Sequence, residues 1–167
     1  ETIDHVSTGD PRFQDRLYFN VHGRPGDFIL GFGLGVFPNQ SVMDGFVCAV
    51  HAGRQYNLRL ARPVTNDRAD MFAGPLALDI IEPMRTWRVR LAENDHGINF
   101  DLIFQARTAP FEHHPIFRRV DKHVNWHQQH LQQSGTYEGS VTIGGRSIDC
   151  SALWGSRDRS WGVRGPM

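Results

Sequence analysis

The segment Leu153-Trp-Gly-Ser-Arg-Asp-Arg-Ser-Trp-Gly-Val-Arg-Gly165 gathers two tryptophans, three arginines and one carboxylate between glycines. Burying such charges is costly unless each has a partner. A chain carries such a cluster either to tie two pieces of structure together or to set one acid beside a ligand. If residues 156–164 form a strand, Asp158, Ser160 and Gly162 share one face with Trp154. Arg157, Arg159, Trp161 and Val163 share the other. A carboxyl among apolar groups has its pKa raised, so it can protonate an alkene or polarise a carbonyl. Paired with arginine, the same group is a structural tie, the commoner outcome. Both readings stay open on these residues alone.

Other patterns point away from chemistry. Gly31, Gly33 and Gly35 alternate with Leu30, Phe32, Leu34 and Val36. That is glycine at strand spacing, not a phosphate loop's GxGxxG, and it marks a strand that another segment approaches closely. His123, His127 and His130 would share a helical face, and three imidazoles suit zinc. The run holds no general-base glutamate, however, and strand spacing would separate His130 from the others. No metal or other cofactor is therefore expected. There is no GxSxG elbow. Asp149 beside Cys150 raises rather than lowers a thiol pKa, which argues against a nucleophilic cysteine.

The elements that must position these residues carry a period of two. Ile98, Phe100, Leu102, Phe104 and Ala106 share one face, and Trp87, Val89 and Leu91 alternate with Arg88 and Arg90. Tyr137, Gly139, Val141 and Ile143 repeat the pattern. Further runs cover 17–22, 28–37, 43–51, 56–61, 76–81 and 147–154. Residues 52–55, 92–97 and 144–145 read as hairpin connections and 23–27 as a short turn. Residues 66–74 and 109–115 read as longer loops, and 115–133 is the one helix candidate. About ten short strands with at most one short helix predict an all-β fold, an antiparallel barrel or strongly curved sandwich.

The bulk numbers agree with one domain, 1–167. Eighteen cationic and 18 acidic residues leave no net charge and no global pull on nucleic acid. All but one of the cationic residues is arginine, the exception being Lys122. Two cysteines, Cys48 and Cys150, are too few for a disulfide scaffold. No apolar run is long enough for a membrane-spanning helix and no leader pattern is visible, so a cytoplasmic location is expected.

Three stretches resemble a known family. They are Ile81-Glu-Pro-Met-Arg-Thr-Trp-Arg-Val89, Phe100-Asp-Leu-Ile-Phe-Gln-Ala-Arg-Thr-Ala-Pro-Phe111, and Gln133-Ser-Gly-Thr-Tyr-Glu-Gly139 leading into Gly155-Ser-Arg-Asp-Arg-Ser-Trp-Gly-Val-Arg164. Together they are similar to the carotenoid hydratase (hydroxyneurosporene synthase) group of bacterial proteins and its lipocalin-like relatives. Arg159 stands where that pattern has histidine. The resemblance implies two lipocalin-like β domains with the terminal motif near the end of the first, so a second β domain, on this or another chain, is an expected partner. It also implies a hydrophobic small molecule, isoprenoid, steroid-like or polycyclic, and acid-assisted hydration, isomerisation or cyclisation at a C=C bond. In that scheme Asp158 supplies the proton from a side chain that looks into an oily hollow. Arg157 or Arg159 orients it, and Trp154 and Trp161 stabilise developing positive charge. Trp126, His127 and Phe104 complete the expected ligand contacts. The rival expectation is a non-catalytic carrier whose terminal motif is a latch.

Overall fold

The period-two alternation is satisfied by a single antiparallel sheet that curls until its outermost strands approach each other. A computed structural model describes residue 3, residues 5–24 and residues 27–165 of the chain. Its strands are β1 (Phe13–His22), β2 (Phe28–Phe37), β3 (Val42–His51), β4 (Arg54–Pro63), β5 (Phe72–Ala73), β6 (Leu76–Glu82) and β7 (Thr86–Leu91). They continue with β8 (Ile98–Ala106), β9 (Phe111–Glu112), β10 (Ile116–Val120), β11 (His123–Ile143), β12 (Arg146–Asp149) and β13 (Leu153–Val163). Ten of them run in the order β4-β3-β2-β1-β13-β11-β8-β7-β6-β5, and β9, β10 and β12 attach to β11. The result is a nearly closed antiparallel barrel. Its only helical element among the described residues is the 3-10 turn Pro38–Gln40.

Side chains, rather than a ladder, close the barrel. Arg62 of β4 donates from Nε to the Phe72 carbonyl at 2.5 Å, and its Nη2 donates to the Asp70 carbonyl. The same guanidinium lies 4.2 Å from the centre of the Phe72 ring.

Inward-facing residues fill the middle of the barrel. Phe19 stacks on Phe32 at 5.5 Å and meets Trp87 and Phe104 edge-on at 5.6 and 5.7 Å. Phe32 reaches Phe100, and Phe104 reaches Tyr137. Each such pair adds about 0.5–1.5 kcal/mol beyond its area burial. The expected oily hollow is therefore occupied at this level by the protein's own rings. Phe104 is a member of that packing, not of a ligand wall.

The glycine stripe of β2 permits close approach, as expected. A Cβ at Gly33 would stand 2.1 Å from the Leu17 carbonyl oxygen, and one at Gly35 would stand 2.5 Å from Asp44. Over this stripe Tyr18 and Phe46 stack at 6.2 Å.

Two sequence expectations are corrected. The helix candidate at 115–133 is instead β10, a turn with Asp121 at φ 53°, and the first half of β11. β11 has to pair with β13 along one edge and with β10, β9 and β8 along the other, and those ladders override any local helical preference. The run 147–154 is not one strand either: the Leu153 N–H turns back to the Cys150 carbonyl with Ala152 at φ 60°. Within the 23–27 turn, Pro25 and Gly26 lie outside the described residues. The Gly23 N–H bonds the Phe28 carbonyl beside them.

Gly155 in β13 is held by Asn20 and Tyr137, since a Cβ there would meet the Asn20 carbonyl oxygen at 1.9 Å and the Tyr137 ring at 2.8 Å. Asn20 cannot retreat without breaking the β1–β13 ladder, nor the Tyr137 ring without disturbing its packing on Phe104. Gly155→Ala is expected to cost about 3 kcal/mol or more, at the upper end for overpacking. Urea unfolding measures it, and a loss under about 1 kcal/mol would contradict the packing described.

Candidate functional site

β13 lies between β1 and β11, and its register places Arg157 opposite Phe19 and Gln133 and Asp158 opposite Tyr18 and Gln132. The odd-numbered residues face inward. Arg157 is only 1% exposed and Arg159 8%. Asp158 faces outward, which corrects the expectation that it looks into the barrel. The parity follows from partners: interior groups neutralise or hydrogen-bond both guanidiniums, and a one-residue slip would strand both in water.

Arg157 is a tie between elements. Its Nε donates to Gln133 Oε1 at 2.6 Å, and Gln133 Nε2 donates to the carbonyls of Met84 at 3.0 Å and Thr108 at 3.1 Å. Its guanidinium sits 5.3 Å from the Trp87 ring. One buried side chain thus fixes the β6–β7 turn, where Met84 takes φ 60°, and the chain leaving β8. Arg159 makes a bidentate pair with Asp15 of β1, at 2.9 and 3.0 Å. Arg68 approaches the same carboxylate at 3.6 Å, and the Ile3 N–H reaches it at 3.4 Å. The Arg159 guanidinium also lies 4.7 Å over the Trp161 ring.

On the outer face, Asp158 accepts from Gln132 and from the His130 ring, which stacks on His113 at 4.6 Å. The group links β13, β11 and the segment after β9. The three histidines of the metal pattern disperse along β11: His127 faces Phe117 edge-on, whereas His130 meets Asp158. No group of three or more potential metal ligands exists among the described residues.

Beside the Arg159 pair, the barrel mouth holds a groove of about 520 Å³ walled by Phe13, Val124, His127, Gln129 and Trp161. Its other wall is made by Ile3, His5, Val6, Ser7, Thr8 and Asp10, which lie across the mouth. A smaller groove of about 250 Å³, lined by Ser41, Val64 and Arg68, lies against Ile3, His5 and Val6 of the same segment. Of the expected ligand contacts, Trp161 and His127 meet here. Trp126 instead donates to Gln128 at 2.8 Å beneath Arg118. Trp154 is 53% exposed on β13 opposite Thr136. Asp15 and Arg68 were not anticipated. A signal for Asp15 existed, because it falls on the apolar face of Phe13, Leu17, Phe19 and Val21, where a charge must have a partner.

The thiol of Cys150 is pushed up to about 11 by burial and then by neighbouring Asp149. It is no nucleophile at neutral pH, as the sequence indicated. Burial likewise drives the Tyr137 hydroxyl well above its ordinary value.

The chain belongs to a family of unknown function (DUF8625), whose model matches residues 1–166. No curated protein matches the sequence. Among solved structures, a protein of Nitrosomonas europaea described as a "putative AttH" aligns with a TM-score of 0.64 at 15% identity. The alignment covers 96% of this chain and 54% of that one, so this chain spans about half the relative's length. At that identity the likeness is one of fold.

The mouth ion pair generates a clear expectation. Arg159→Met leaves Asp15 buried without its bidentate partner and should cost about 3–5 kcal/mol, whereas Asp15→Leu combined with Arg159→Met should recover part of that loss. Asp158→Asn, at the outer surface, should cost less than about 1 kcal/mol. Denaturant unfolding of the variants checks the order; a larger loss for Asp158→Asn would reverse the assignment of faces.

Proposed function

We propose that this domain binds a small, predominantly apolar molecule in the groove at the barrel mouth. The observation that carries the reading is the placement of Trp161. Its ring lines a groove of about 520 Å³ and is seated on a guanidinium whose charge Asp15 neutralises. Ligand sites commonly occupy ~300–1,000 Å³ and combine aromatic walls with polar groups, here Gln129 and His127 on one side and His5, Ser7, Thr8 and Asp10 on the other. Barrel mouths are frequent places for them. The motif resemblance supports an isoprenoid, steroid-like or polycyclic ligand. The reading stops at binding. Acid-assisted chemistry at a C=C bond requires a proton donor turned toward the ligand, and Asp158 faces away while Asp15 accepts from Arg159.

A companion β domain is part of the same reading. The β10–β11 hairpin exposes Phe117, Val120, Ile116 and Val124, an apolar patch next to the groove. The greater length of the Nitrosomonas europaea chain supports a cover of that kind. Light scattering on the 167-residue chain should show association that disappears with Phe117→Ser and Val120→Ser. A chain that stays monomeric at millimolar concentration has no patch in need of a cover.

Binding is read by calorimetry with two uncharged probes, farnesol and progesterone. At least one should bind saturably, and Trp161→Ala should weaken it by about tenfold or more, the loss of one aromatic wall. No saturable heat with either probe, or unchanged affinity in the variant, would remove the groove as the site.

A further inference from the structure

Among the described residues, the charges at the mouth do not balance. Asp15 is shared by two guanidiniums: Arg159 holds it bidentately, and Arg68 stands off at 3.6 Å with its side chain only 13% exposed. The other acids nearby are engaged elsewhere. Asp70 lies 3.6 Å from Arg62 and accepts from Thr65, Asp10 takes Arg12, and Asp67 accepts the Ala69 N–H. Arg68 Nε is buried with no hydrogen-bond partner. A guanidinium has five donors in a planar fork that matches a carboxylate or phosphate, and a buried donor left unmet is destabilising. The Arg68 side chain lines the smaller groove, which shares Ile3, His5 and Val6 with the larger one. The two spaces are therefore neighbours under a single chain segment, one walled by rings, the other by an under-neutralised arginine.

We infer that the ligand is an amphiphile with an anionic head group, whose apolar body lies along Trp161 and Phe13 and whose carboxylate is received by Arg68. This rests on the binding function proposed for the mouth and specifies its substrate class. The carboxylate would supply, at the terminal nitrogens of Arg68, the charge that Asp15 cannot give to both arginines. Ile3, His5 and Val6, which line both grooves, would lie over the junction between body and head. Asp15 stays on Arg159, so Trp161 keeps its seat whether or not an anion is present.

Farnesoic acid and farnesol share an isoprenoid body and differ at the head, so they separate this inference from the reading beneath it. Calorimetry at neutral pH and low salt should give the acid at least tenfold tighter binding than the alcohol, the size expected of a charge-assisted pair. Arg68→Gln should abolish that preference while leaving the alcohol's affinity within about twofold. Arg68→Lys, which keeps the charge, should retain part of it, and it serves in place of Arg68→Gln should thermal unfolding show that the latter does not fold. Equal affinities in the unsubstituted protein overturn the anionic head while leaving the apolar groove standing. Binding of neither probe overturns the inference, and the groove reading with it where progesterone gives no saturable heat either. Loss of acid and alcohol together in a folded Arg68→Gln overturns the inference too, since Arg68 would then be shaping the groove rather than reading a charge.

Discussion

Two guanidinium groups inside a β-barrel must be satisfied where they lie, and that requirement organises this molecule. Arg157 and Arg159 are two residues apart on β13, so the pleat sends both inward together. One is met by an amide, Gln133, and the other by a carboxylate, Asp15, and these partners come from the two strands that flank β13. The register of the three central strands is thus specified twice by polar contacts, on top of the apolar pattern. A slip in either ladder would leave a buried charge unmet, at a cost well above that of losing an aliphatic contact.

The same pair of contacts divides the barrel along its axis. Arg157 belongs to the level of Trp87, where rings and aliphatic side chains fill the interior. Arg159 belongs to the mouth, where the packing gives way to grooves lined on one side by Ile3, His5 and Val6. The packed core and the groove at the mouth therefore take successive inward positions along one strand, and the terminal motif spans both. Its tryptophans are unequal for that reason: Trp161 is framed by the mouth, while Trp154 projects from the outer surface.

The fold was legible because alternation is a local signal. Ile98 to Ala106 and Trp87 to Leu91 alternate cleanly and became β8 and β7. The segment 115–133 was harder: its histidines and glutamines have no clear period, and only the neighbouring ladders make it a strand. In the site, the opposite parity of Asp158 and the two arginines could be read from spacing, but not which parity faces inward. That choice depends on Asp15 and Gln133, which lie 144 and 24 residues away in sequence from their arginines. The Asp15 signal was present in the strand itself, a charge among phenylalanines, whereas Arg68 sits in a loop with no periodicity to mark it.

Between β4 and β5 the join is made by one arginine reaching across to main-chain oxygens and a ring, rather than by successive rungs. Such a clasp can release as a unit, because opening it sacrifices a few side-chain contacts and no ladder. Parting that seam would cost side-chain contacts, the shared packing of Leu58, Met71, Ala73 and Leu76 included, whereas parting the wall around β13 would break a ladder on either side.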